Sequence, residues 1–314
     1  MITPTTLALA ALMRLRGVGR KQALRMVPGE FPAGVDVEAK VHDLVAGAGR
    51  AGDVGEIVSS ARTMLADSVD AGINVLGFHD GEYPVRLRDT PDPPAILYVK
   101  GNVSPLHAPR AVAVVGTREP TEYGGKVARK LALRVAEAGY VVVSGLAHGC
   151  DTLGHEGCLD AGGVGIAVMA HGLDKVYPAA NRGLAQRLVE NGGCLVSEYP
   201  LGVTPMRNAF AERDRIQSGL SDAVLVIETD VKGGTMHTVR FAREQHRPLA
   251  CIDHPQKWLE EDKTRGNQKM IKDGWATAIP HGEALLAFLA GVPHGAGRPG
   301  DVASSPDRQH VLGF

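Results

Sequence analysis

The rhythm of apolar and polar positions changes near residue 70. Before it, Leu7, Leu9, Leu12 and Leu15 make an apolar helical run, Gly17-Val18-Gly19 interrupts it, and a basic helical run with Arg20, Lys21 and Arg25 follows. The spacing predicts further helices over 37–49 and 54–71 and no alternating strand in this part. From about residue 73, short β-branched runs take over: Ala111–Val115, Val141–Ser144, Gly165–Met169, Cys194–Ser197, Ala223–Ile227 and Leu249–Ile252. They are apolar throughout, as strands are when both faces are buried in a parallel sheet covered by helices. Between them, 123–138 carries Val127, Leu131, Val135 and Ala138 at helical spacing, and segments near 151–161, 181–191 and 234–245 suit crossover helices. The alternation predicts an α/β fold with a doubly wound, mostly parallel sheet over 71–290. A small all-helical domain at 1–70 precedes it, and 291–314, rich in Gly, Pro, Ser and Asp, reads as a flexible tail.

Composition sharpens this picture in two places. The 314 residues include 39 glycines, nearly twice the usual share of about 7%. Net charge is only −1, which argues against a chain that coats nucleic acid or anionic lipid over its whole surface but leaves room for a local basic pocket. No run of 18 apolar residues predicts a membrane span. The N-terminal apolar patch has its Arg and Lys after it, the wrong polarity for a secretory signal. Cys150, Cys158, Cys194 and Cys251 are far apart with no CxxC pair, which fits reduced, buried thiols of a cytoplasmic protein.

The glycines gather where predicted strands turn into helices. These turns are Val115-Gly116-Thr117-Arg118, Ser144-Gly145-Leu146-Ala147-His148-Gly149-Cys150-Asp151, Ala170-His171-Gly172-Leu173-Asp174 and Thr229-Asp230-Val231-Lys232-Gly233-Gly234-Thr235. Ligands of doubly wound folds bind at such turns, where glycine lets the backbone come close and helix-start N–H groups face phosphate oxygens. Arg118 beside Gly116 adds a charged fork for the same phosphate. No GxxxxGK[ST] and no clean GxGxxG is present, so neither a P-loop nor a dinucleotide fingerprint is supported.

At these residues the chain resembles the DprA/Smf family of bacterial DNA-processing proteins. The likeness runs from about residue 1 to 280, through Tyr83-Pro84, Asp92-Pro93-Pro94, Leu97-Tyr98, Gly101 and Val115-Gly116-Thr117-Arg118. It continues with Ser144-Gly145-Leu146-Ala147, Gly149, Asp151, His155, Tyr177-Pro178, Asn181 and Ser197-Glu198-Tyr199-Pro200. Phe210 through Ser221, then Gly266-Asn267, Ile271, Asp273 and Gly274, complete the series. The resemblance implies an extended Rossmann-like fold that binds and protects single-stranded DNA, dimerises and assists RecA loading in DNA uptake and recombination, with no catalytic residues, cofactor or metal. Carried over residue by residue, it implies a phosphate grip by Arg118 and close backbone contact from Gly116, Thr117 and Gly145. Arg182 beside Asn181 would be a further phosphate ligand, Arg213 and Arg215 would line the same pocket, and Phe210 would support it or stack on a base.

Competing readings stand beside these assignments. Arg213 and Arg215 alternate with Glu212 and Asp214, so a solvated charged helix is open. Lys126, Arg129, Lys130 and Arg134 read as a polar outer helix face or a basic patch. Gly17-Val18-Gly19 fits either the hairpin of a helix-hairpin-helix (SAM-like) DNA module or a tight turn between packed helices. The chain also departs from the family pattern. His148 stands where Arg is usual, Asp214 where Asn is usual, and Lys232-Gly233-Gly234-Thr235 replaces a Ser-Gly-Ser turn. Too little chain follows Ile279 for the C-terminal winged helix of many members. The altered pocket keeps a second function class open, a nucleotide sensor or nucleotide-processing enzyme, with Glu198 as the acid at a strand end.

Overall fold

Thr3 starts the first helix: its hydroxyl accepts from the Thr6 amide (3.1 Å), and Pro4 in the first turn has no N–H to leave unpaired. This is α1 (Pro4–Leu12); after the Gly17 turn, at φ +78°, come α2 (Arg20–Met26), α3 (Val37–Gly47) and α4 (Val54–Asp70). Asp36 and Asp53 cap the last two through first-turn amides. The computed structural model describes residues 2–293, so the predicted tail from residue 294 on lies outside the described residues.

The rest alternates. It runs β1 (Ile73–Gly77), α5 (Val85–Arg88), β2 (Ile96–Gly101), β3 (Ala111–Val115), α6 (Glu122–Glu137), β4 (Val141–Ser144), α7 (Cys150–Asp160) and β5 (Gly165–Val168). Then come α8 (Arg182–Glu190), β6 (Cys194–Ser197), α9 (Arg207–Gly219), β7 (Ala223–Val226), α10 (Thr235–Glu244), β8 (Leu249–Ile252), α11 (Arg265–Lys272), β9 (Thr277–Ile279) and α12 (Gly282–Ala290). Among the described residues they form one sheet of nine strands, ordered β1-β2-β6-β5-β4-β3-β7-β8-β9. Neighbours from β6 to β9 pair in parallel, while β2 runs antiparallel to both β1 and β6. The predicted α/β, mostly parallel sheet is therefore present, and β3, Ala-Val-Ala-Val-Val, is buried at every residue as a two-face-covered strand must be.

Two strands, β1 and β9, lack an uninterrupted apolar run; they are the edges of the sheet, each with one neighbour, and carry polar residues such as Asn74 and Thr277. The sequence pattern also left out β2, although Ile96–Val99 is apolar and buried; it lies second from the edge and runs antiparallel to both neighbours. The helical N-terminal part does not keep its core to itself. Leu7, Leu9 and Leu12 of α1 and Leu65 of α4 share one apolar cluster with Ile73, Ile96, Tyr98, Ala167 and Leu195 from four strands. The four cysteines are buried and unpaired. No helix among the described residues is long and apolar enough to cross a membrane.

The topology also locates the site. From β3 the chain steps through β4, β5 and β6 on one side and returns with β7 on the other, so the winding reverses between β3 and β7. The loops leaving their carboxyl ends diverge there and open a crevice.

Candidate nucleic-acid interface

A cleft of about 450 Å³ occupies this crevice. Of the residues predicted for a phosphate site, it brings together Gly116, Thr117 and Arg118 after β3, Phe210 and Arg213 on α9, and Gly233, Gly234 and Thr235 at the start of α10. The β3 turn is fastened below: the Thr117 amide donates to the Glu228 carbonyl (2.8 Å) and the Cys150 amide to the Thr117 carbonyl (3.1 Å). A Cβ on Gly116 would lie 2.5 Å from Cys150 Sγ, so the turn can seat on α7 only with glycine there. Gly149, at φ +74°, begins α7 with its Cα against the Thr117 and Arg118 carbonyls. Held in this way, Arg118 points outward: it is exposed, and its guanidinium stands 5.3 Å from the centre of the Phe210 ring.

Arg213 forms the floor. It is 5% exposed, donates to the Val168 carbonyl (2.5 Å) and stands 3.3 Å from Asp214. With its amide turned to suit both neighbours, Gln217 accepts from Arg213 Nη1 (2.9 Å) and from the Gly145 amide (3.0 Å). Gly145 is therefore beside the floor rather than on the cleft wall, and a Cβ there would run into Arg213. Asp151 accepts from the Gly145 and Ala147 amides (3.2 and 3.3 Å) and also faces the cleft. Burial raises the Asp151 carboxyl, with Arg213 pulling the other way. Burial lifts Asp214 further, to about 7, against the charge of Arg213 and reinforced by that of Asp151. His155, one helical turn beyond Asp151, is fully buried with both ring nitrogens unpartnered, and burial next to Arg213 drives it down to about 3. It is a neutral packing group.

Several predicted ligands lie elsewhere. Arg215 is 1% exposed and points away from the cleft. Both of its terminal nitrogens donate to Glu198 (2.7 and 2.6 Å), and its Nε donates to the Asp92 carbonyl (2.9 Å). The reason is helical geometry: residues two apart project to nearly opposite sides. Burial of both arginines, each with its own partners, overturns the solvated-helix reading. Asn181 is 6% exposed, and its amide donates to the Leu146 carbonyl and Thr152 Oγ1, both at 2.8 Å, so it braces the β4–α7 turn where Leu146 holds φ +56°. His148, Arg182 and Lys232 are exposed and line no part of the cleft, although Lys232 directly precedes it. The α6 basic cluster is largely paired, Lys126 with Glu122, Arg129 with Asp160 and Arg134 with Glu137. In the Gly17-Val18-Gly19 hairpin the neighbouring cation turns inward, Arg20 meeting Asp92 through two nitrogens (2.9 and 2.6 Å) and Glu212 at 3.2 Å.

The cleft also holds residues that pattern did not mark: Arg207 on α9, His237 on α10 and Lys263 from the short turn Asp262–Thr264 line it. Asp214 and Asp230, read as a departure and as part of a glycine turn, face it too. Four cationic side chains thus face three carboxyls. Arg207 was legible as a basic residue about two turns before the marked arginines on the same helix, whereas Lys263 reaches the site only through tertiary folding. Among the described residues no three His, Cys, Asp or Glu side chains converge as a metal site requires. Glu198, the acid named for a nucleotide-processing site, is committed to Arg215; the carboxyls that do face the cleft are Asp151, Asp214 and Asp230.

Known proteins share this sequence pattern and fold. The family model for DNA recombination-mediator protein A matches residues 74–290. Protein Smf of Escherichia coli (strain K12) is 37% identical over 229 residues, covering 73% of this chain and 60% of that protein, so the match spans less than two thirds of the relative's length. The X-ray structure of DprA from Streptococcus pneumoniae aligns with a TM-score of 0.68 and 28% identity over 91% of this chain and 98% of that one. A structure of Helicobacter pylori DNA processing protein A, concerned with that protein's single-stranded DNA binding mode, aligns with a TM-score of 0.62 and 29% identity. It covers 69% of this chain and 95% of the other.

Proposed function

This chain belongs to the DNA recombination-mediator protein A family, the DprA/Smf proteins, and on that premise we propose that its switch-point cleft binds single-stranded DNA without turning it over. The observation that carries the reading is the placement of Arg118: exposed at a strand end, over an aromatic ring, with no carboxylate pairing among the described residues. A phosphate entering there meets that guanidinium, Arg207 and Lys263, with Arg213 beneath. Bases need not be read at their edges, which suits a cleft that adds the Phe210 ring and the glycine backbone of two strand-end turns to its charges. Protection of the strand, its transfer to a RecA-type recombinase, self-association and a cytoplasmic location belong to the same proposal.

Fluorescence anisotropy with labelled oligo-dT tests the core of it. Binding is expected at low salt, falling steeply as salt rises. Arg118→Ala is expected to weaken it roughly tenfold and to lower the logarithmic salt slope by about 0.7, the share of one single-strand phosphate. Flat binding curves for the unsubstituted protein at low salt would remove the reading. Sedimentation of the free protein and RecA filament assembly on the coated strand test self-association and transfer.

A further inference from the structure

Five large apolar side chains are exposed among the described residues, Val69, Tyr177, Met206, Val231 and Leu286, and three of them adjoin cleft-lining residues in sequence or by ring contact. Met206 directly precedes the cleft-lining Arg207, and Val231 lies between cleft-lining Asp230 and Gly233. Tyr177, in the loop between β5 and α8, is the aromatic one, 48% exposed, with its ring centre 5.7 Å from that of Phe210 at an angle of 53°. Phe210 in turn lies under Arg118. Cation and two rings therefore form one chain of contacts, Arg118 over Phe210 and Phe210 against Tyr177.

We propose that Tyr177 is an outer stacking subsite for a nucleobase adjoining the phosphates held in the cleft. This rests on the single-strand reading above and names where the first base outside the cleft is placed. Phosphate recognition alone leaves an exposed tyrosine, methionine and valine beside four cationic groups unexplained, whereas a strand brings flat apolar faces at every nucleotide. The geometry chooses between two modes. A base held between two rings needs them about 7 Å apart and parallel, two contacts of roughly 3.5 Å. Tyr177 and Phe210 are closer and steeply tilted, so no base enters between them. Phe210 backs the Tyr177 ring and fixes its orientation, and the base lies on the outward face of Tyr177.

A stacking subsite is distinguished from a phosphate contact by its indifference to salt and its need for a base. The test compares oligo-dT with an abasic sugar-phosphate strand of the same length, for the full chain and for Tyr177→Ala and Tyr177→Phe. Tyr177→Ala is expected to weaken oligo-dT binding roughly tenfold, leave the abasic strand unaffected and keep the salt slope; Tyr177→Phe restores the affinity lost in the alanine variant. Because the side chain is exposed, the melting temperature of each variant is expected to match the parent. Equal effects of Tyr177→Ala on both strands, or none on oligo-dT, overturn the subsite and leave binding in the cleft standing. Failure of the unsubstituted chain to bind either strand overturns both.

Discussion

Arg213 and Arg215 differ by two positions and lie on opposite sides of α9, one under the cleft and the other locked to Glu198. Between them, Asp214 places a carboxyl among cations where a polyanion is to bind. Its proton decides whether that is costly. Burial moves the group from 3.8 to about 7, so the native protein holds the proton more tightly than the unfolded chain. The sign follows by linkage: the favourable contribution is complete below 3.8 and is lost as pH climbs towards about 7, where an ionised, buried carboxylate remains. Affinity for oligo-dT is expected to fall over the same upper range, from about pH 6 to about pH 8. Asp214→Asn keeps the shape and removes the titration. It is expected to raise melting temperature and affinity at about pH 8 with little effect at about pH 5. Equal gains at both pH values would show that the carboxyl does not titrate in this way.

At the scale of elements, α9 is gripped on both sides. The β4–α7 turn meets it through Gly145, and the carboxylates of Asp92 and Glu198 meet it through Arg215. Gly145→Ala drives a methyl group into Arg213 and is expected to destabilise the fold by about 1–3 kcal/mol and weaken DNA binding together, read by chemical denaturation and anisotropy. Arg215→Ala leaves Glu198, 9% exposed at its side chain, facing Asp92 without its bidentate partner. A loss of about 3–5 kcal/mol is expected in denaturant unfolding, the usual result of unpairing a buried charge. The helices and central strands were legible because each carries its own periodicity: 123–138 was read where Glu122–Glu137 forms, and 151–161 where Cys150–Asp160 forms. The side of α9 that each arginine takes was not legible. Its polar residues go all the way round, so no apolar stripe marks the inner face.

At the scale of the whole molecule, the helical N-terminal part is joined to the sheet by apolar packing and by charge. Alpha-helix α1 is buried over Thr5–Leu12 within a core that includes β1 and β2, and Arg20 of α2 ties to Asp92 and Glu212. Burial works against the Arg20 charge, yet its bond to Asp92 and the fields of Glu198, Asp92 and Glu212 hold its pKa above the ordinary value. Thermal unfolding of the full chain is accordingly expected to be one transition, with Arg20→Ala lowering its midpoint as a whole. Two separated transitions would show that the N-terminal helices fold independently. The sequence by itself determined the α/β class, the order of buried strands and the glycine turns that point to one end of the sheet, because these follow from local periodicity and backbone freedom. Tertiary structure decided which charges face the cleft. Arg118, the α9 pair Arg207 and Arg213, and Lys263 come from three separate segments of the chain and converge only when β3 and β7 lie side by side. Arg215, Asn181 and Arg20, equally polar in sequence, are taken up by partners that folding brings to them.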